Sequence, residues 1–325
     1  MDIGIGSRRG SGGIALTIGL LLTQPAVAQV APPGGYGDPS TVDVAGLYAD
    51  ACAPCHGRKG DGEAAGARLL GPRLPRDFTS GIFEFRSTPA YSLPTDEDLA
   101  RTIVRGIPGT WMPAWGGMLN PAQVQALVDY LKGFAPSWTE FEAESPLAIP
   151  PPPTDTTGMV AEGRIVYAVL ECWRCHGLTG RGDGPSANEL ADDWDRRIDP
   201  YDFTRGSYKA GSSAEDLYRT LVTGLSGTPM PALEPELVAF PGGGDEDVSG
   251  LESQLDAQLV AEVRTYLASQ PGTAEILDLT MTELDQLIAR RLWTLVHYVR
   301  SLERPTGALH WLFGDNPDFS AGGGG

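Results

Sequence analysis

All four cysteines of this 325-residue chain fall in two copies of one pentapeptide, Cys52-Ala53-Pro54-Cys55-His56 and Cys172-Trp173-Arg174-Cys175-His176, each followed by glycine. None is left over for a disulfide framework. The spacing sets two thiols on one turn, where they can add to the two vinyl groups of a haem, with an imidazole beside them as proximal iron ligand. Two motifs predict two covalently bound haem c groups, attached at Cys52, Cys55, Cys172 and Cys175 and ligated by His56 and His176. A four-cysteine zinc site is the competing reading. Its pairs usually lie about 12 to 20 residues apart, whereas these are 120 apart and each carries its own histidine. A redox dithiol needs a thioredoxin-like βαβ setting, which neither copy has.

Arg8 and Arg9, the apolar run Ile14 to Leu22 and Ala26-Val27-Ala28 form the three regions of a signal peptide, so residues 1–28 are expected to be removed on export. Ser7-Arg8-Arg9 fits a twin-arginine signal as well as an ordinary basic start. The apolar run is shorter than the roughly 20 residues that span a bilayer, which predicts a periplasmic protein without stable membrane insertion. Removing residues 1–28, which hold two arginines and one aspartate, takes the formal charge from −18 to −19. So acidic a chain is a poor match for nucleic acid or anionic lipid and calls for redox partners with a basic docking face. With only three lysines, Lys59, Lys132 and Lys209, it lacks a lysine-rich docking face of its own.

The chain is a tandem duplication. Glu97-Asp98-Leu99 through Met112-Pro113-Ala114 recurs 118 residues later as Glu215-Asp216-Leu217 through Met230-Pro231-Ala232. Pro75-x-Asp77-Phe78-Thr79 matches Pro200-x-Asp202-Phe203-Thr204. Helical patterns lead into each cysteine motif, over 42–53 and over 160–171 with Thr156 or Thr157 as N-cap. Val124, Leu127, Val128 and Leu131 give one buried helix face within 121–134, and Leu292, Leu295, Val296 and Val299 repeat it within 282–302. These final helices are offset by 168 residues, not 118, so the second unit carries an insertion of about 50 residues over 234–283. The insertion holds eleven acidic residues and one basic residue, Arg264. Its Leu251, Leu255, Leu259, Val263 and Leu267 predict one amphipathic helix stopped near Pro271-Gly272. A lid on the second core is the favoured role, and a partner-docking element the alternative.

A helix ending in Cys-x-x-Cys-His-Gly, a Gly/Pro-rich middle, a Met-Pro loop and an amphipathic terminal helix, twice over, resembles the class I c-type cytochromes, in particular tandem dihaem cytochromes c of bacterial respiratory chains. The resemblance implies an all-α, loop-rich fold of two cytochrome c domains at 41–145 and 158–305. A proline-rich linker at 146–157 would join them, and residues 306–325 would form a tail. In the family's pattern the sixth ligand is the loop methionine. It falls on Met112, 56 residues after His56, and on Met230, 54 after His176, whereas Met118 has Glu236 as its counterpart. The family also implies a proline carbonyl holding the histidine Nδ1 proton, for which Pro72 is the choice in unit one. Arg86 and Arg205 are candidates for haem propionates, with surface ion pairing as the simpler role, and His297 and His310 are read as solvated or packing residues. The expected function is electron carriage between respiratory partners, without catalysis. A dihaem peroxidase is the enzymatic alternative, and a dedicated cytochrome subunit of an oxidase or molybdenum oxidoreductase complex is the other.

Overall fold

The computed structural model describes residues 42–70, 74–242 and 249–304. The expected signal peptide at 1–28, the expected tail with His310, and Pro72 lie outside the described residues. Those described are helical, with no strand and one isolated bridge between Ala191 and Arg197.

In the first half, α1 (Val44–Ala51) starts where the Asp43 carboxylate accepts from Gly46 N at 2.9 Å. The helix expected over 42–53 is shorter: it ends before Cys52, and α2 (Ala53–His56) carries the rest of the motif, with Pro54 in its first turn. The segment α3 (Asp96–Arg105) is capped by Thr95 and α4 (Pro121–Lys132) by Asn120. A short α5 (Ser137–Glu140) follows. The four apolar positions read from the sequence on α4 are all buried, among Leu47, Tyr48, Phe78, Leu99 and Ile103. The second half repeats the plan with α6 (Met159–Val169), α7 (Trp173–His176) and α8 (Ala214–Thr223). At the start of α6 the expected threonine cap is replaced by Gly158 with φ 76° and no side-chain cap bond. Residues 142–157 run between the halves without helix.

The insertion contributes α9 (Pro235–Val238), α10 (Ser249–Glu252), α11 (Ala257–Ser269) and α12 (Thr273–Asp278) before α13 (Met281–Ser301). The single helix expected over 251–267 is broken, because Asp256 turns its carboxylate onto Leu259 N at 2.9 Å and so starts α11 afresh. The lid reading holds for the inner face, since Leu259, Val260, Val263 and Leu267 join the same core as Leu292, Leu295, Val296 and Val299. α6 and α13 cross so closely that a Cβ on Gly163 would lie 2.0 Å from Thr294 O.

Arg291 on α13 is fully buried and pins the insertion. It donates to Val238 O at 2.7 Å, Phe240 O at 2.9 Å and Gln270 Oε1 at 3.1 Å, with its guanidinium 3.8 Å from the Phe240 ring centroid. A buried cation survives only when its donors are met. Arg291→Met leaves those acceptors unpaired and is expected to cost about 2–4 kcal/mol. Chemical denaturation followed at the second domain reads the loss, with the first domain unchanged.

Candidate haem-binding sites

Each cysteine motif is one tight turn. Cys55 N and His56 N both donate to Cys52 O, at 3.1 and 2.9 Å, and His176 N donates to Cys172 O at 2.9 Å. Burial pushes the Cys52 thiol up to about 11 and the Cys172 thiol up to about 12, so neither has the thiolate character of a redox dithiol. Among the described residues no three His, Cys, Asp or Glu side chains gather as a metal-holding cluster. The two cysteine pairs therefore do not form the four-cysteine site considered above.

Each histidine is fixed by a backbone carbonyl 20 or 25 residues further on. His56 Nδ1 lies 3.2 Å from Arg76 O and His176 Nδ1 lies 3.1 Å from Tyr201 O. Pro72, the choice made for unit one, lies outside the described residues, and the acceptor seen among those described is Arg76 O. A carbonyl can only accept, so each Nδ1 carries the proton and each Nε2 is left with its lone pair. Arg76 and Tyr201 occupy the x of the repeated Pro-x-Asp-Phe-Thr string, which is the signal that could have found both. Phe78 and Phe203 of that string stack on the imidazoles, with ring centroids 4.5 and 4.3 Å apart. Burial lowers the pKa of both histidines, favouring the neutral imidazole that iron requires. A second missed pair is Tyr48 and Tyr167, whose buried hydroxyls donate to Gly57 O at 2.8 Å and Gly177 O at 2.7 Å, in the residue following each histidine.

The methionines sit in two copies of one crossed loop. Met112 O accepts from Ile107 N at 3.0 Å, and Met112 N donates to Thr110 Oγ1 at 3.1 Å. Met230 O accepts from Leu225 N at 3.1 Å, and Met230 N donates to Thr228 Oγ1 at 3.2 Å. Each loop passes over the glycine that ends the preceding helix. Gly106 (φ 64°, ψ −168°) and Gly224 (φ 62°, ψ −168°) occupy a region that only glycine adopts readily. A Cβ on Gly106 would lie 2.5 Å from Pro113 C, and one on Gly224 would lie 2.5 Å from Ala232 N. Met118 belongs to no such loop. Arg86 is buried, which rules out the surface ion pair. It donates to Pro89 O at 3.1 Å and to Thr223 O of the other domain at 2.5 Å. Its Nη1 has no partner among the described residues, the kind of orphaned donor that a carboxylate-bearing group satisfies. Arg205 pairs with Asp202 at 3.5 Å.

The donor set fits haem c: thiols on one turn, a neutral imidazole with Nε2 available, and soft thioethers in matched loops. The arrangement defines an electron-transfer cytochrome of the class I type. The comparisons agree. Residues 40–131 match the model of cytochrome c oxidase, cbb3-type, subunit III, and residues 160–271 match that of cytochrome c. A chain of the Kuenenia stuttgartiensis reducing HAO-like protein complex is similar at 35% identity with a TM-score of 0.62, over 81% of this chain and 97% of that one. No curated protein matches. The chain belongs to the tandem dihaem class I c-type cytochromes and binds two covalent haem c groups.

Gly106→Ala and Gly224→Ala each place a methyl group against backbone that cannot yield. Each is expected to destabilise its own domain by about 2 kcal/mol or more, read by thermal melts of the holoprotein. Gly109→Ala, whose Cβ would meet nothing within 4 Å, pays only for its φ of 71° and is expected to cost less.

Proposed function

We propose that this is the periplasmic dihaem cytochrome c component of a respiratory redox complex, carrying single electrons between a redox enzyme and a second carrier. It is not itself an enzyme. Its domains extend over 41–145 and 158–305, and its iron ligands are His56 with Met112 and His176 with Met230. The observation that carries the reading is the identical crossed loop around Met112 and Met230, placed after matching helices in both domains. With Met112 and Met230 as ligands, neither iron would keep the open position that a peroxidase needs. Export of the chain to the periplasm is supported by the signal-peptide pattern at 1–28. Membership of a complex is supported by likeness to a subunit of one, and among the described residues no helix is long and apolar enough to cross a membrane.

When bound, each haem supplies a ferric/ferrous couple. The chain does the rest. Arg76 O and Tyr201 O hold the Nδ1 protons, which orients each imidazole and raises the basicity of Nε2. Phe78 and Phe203 cover the imidazoles and exclude water from them. Met112 and Met230 would supply thioether ligands, which would raise the potential and suit a carrier late in its chain.

Met112→Ala and Met230→Ala are each expected to remove about half of the weak far-red sulfur-to-iron band, and Met118→Ala none of it. Loss of the band with Met118→Ala would show the assignment in the first domain to be wrong. Association with the partner is expected to weaken as salt rises, since a charge of −19 is screened over about 8 Å at physiological ionic strength. Electron-transfer kinetics across a salt series measure this, and a rate that rises with salt would remove the basic partner face from the reading.

A further inference from the structure

The middle of the second domain is longer than that of the first. His176 and Pro200 are 24 residues apart, against 19 for His56 and Pro75. The longer segment includes a tight turn over 191–197. Asp192 accepts from Trp194 N at 3.0 Å and Arg196 N at 2.9 Å, and Asp192 N donates to Arg196 O at 2.8 Å. Asp195 takes φ 58°, a conformation that favours glycine. The product of this turn is the position of one indole.

Trp194 reaches the first domain. The Arg76 guanidinium lies 4.9 Å from its ring centroid, and Arg196 of its own turn lies at 5.8 Å. Arg76 also pairs with Glu84 at 2.9 Å. Beneath this stack runs Gly227, three residues before Met230. A Cβ there would lie 2.9 Å from Trp194 and 3.1 Å from Arg76 Nη1, and Gly227 O accepts from Asp193 N at 3.1 Å. A Cβ on the corresponding glycine of the first domain, Gly109, would meet no described residue within 4 Å. Arg76 is the same residue whose carbonyl holds the proton of His56.

We propose that Arg76 is a positioning residue for both haems. Its carbonyl fixes His56, while its guanidinium, held by Trp194, closes the Met230 loop, so that one charge sets the potential of both sites. The inference rests on the axial pairs proposed above. A positive charge near a haem disfavours the ferric form, which carries the extra charge, and so raises the potential by Coulomb interaction. Glu84 opposes it, and Arg196 adds to it on the Trp194 side.

The test uses the holoprotein, with spectroelectrochemistry resolving the two haems and the far-red band recorded in the same samples. Arg76→Met keeps the carbonyl, removes the charge and leaves Glu84 unpaired. It is expected to lower both potentials, each by about the 59 mV that marks a tenfold change in a one-electron ratio. Arg76→Lys is expected to restore most of both shifts, and Glu84→Gln to raise both. Trp194→Ala, which frees the guanidinium from the second domain, is expected to lower the second potential more than the first. A fall in only one potential with Arg76→Met, or in neither, overturns the proposal. If Arg76→Met fails to assemble, the sign and breadth of the Glu84→Gln shift decide the question. An intact far-red band with unmoved potentials sinks the coupling and leaves the axial pairs standing. A band missing from the unsubstituted protein sinks the axial pairs, while the two potentials still report on Arg76.

Discussion

In each domain a buried tyrosine hydroxyl donates to the carbonyl of the residue after the motif histidine, Tyr48 to Gly57 and Tyr167 to Gly177. The rest of each domain is organised around that bond. The tyrosine comes from the first helix of its domain and its ring packs against α4 or α13, Tyr48 against Tyr130 and against Phe134 just past the end of α4, and Tyr167 against Tyr298. One side chain thus ties the histidine turn, nine or ten residues on, to a helix that is remote in sequence. Burial raises both phenols well above their ordinary range, so they stay protonated and remain donors. A polar hydrogen at that depth must find an acceptor, which is why the backbone around the histidine cannot drift.

The two domains share this frame but differ in what covers their methionine loops. In the second, a Cβ on Gly227 would run into Trp194 and Arg76, whereas in the first a Cβ on Gly109 would meet no described residue within 4 Å and Trp111 is 58% exposed. A tandem repeat whose halves pack together cannot keep both halves alike, because the interface must use different faces of each. The contacts are specific: Arg86 reaches Thr223 O, Arg105 meets Asp216 at 3.4 Å, and Arg76 lies on Trp194. Burial alone would raise the Asp216 carboxyl, but Arg219, Ser213 and Arg105 outweigh it and hold it below the usual range. That acceptor therefore stays charged at the junction.

The insertion resolves in favour of structure on its inner side. Its helix α11 completes the core over α6 and α13; Glu252, Asp256, Glu275, Asp278 and Glu283 stay exposed, while Glu262 turns toward α6 and pairs with Arg164 at 2.5 Å. Arg291 is the physical reason for the arrangement. It ties together two stretches of the inserted segment, the Val238 and Phe240 carbonyls near its start and the Gln270 side chain further along. A helix pattern shows only that residues 251–267 have an apolar face. It does not show that Asp256 will interrupt the helix, because a capping carboxylate and an ordinary surface carboxylate look alike in sequence.

The sequence by itself determined the haem count, the all-α repeat, the terminal-helix faces and the pairing of Met112 with Met230. Each of these is local or periodic, carried by spacing along one helix or by identity between two copies. It did not mark Arg76 and Tyr201 as the residues whose carbonyls face the histidines, although the repeat held the clue in its Pro-x-Asp-Phe-Thr strings, and it gave no sign of Tyr48 or Tyr167. A backbone carbonyl belongs to every residue, so nothing in a residue's identity marks the one that will face an imidazole. The tertiary structure alone decided which carbonyls those are, that Arg86 is buried, and that Arg76 of one domain lies against Trp194 of the other. These depend on how two packed bodies meet, and the energy of that meeting is spread over surfaces that no sequence spacing encodes.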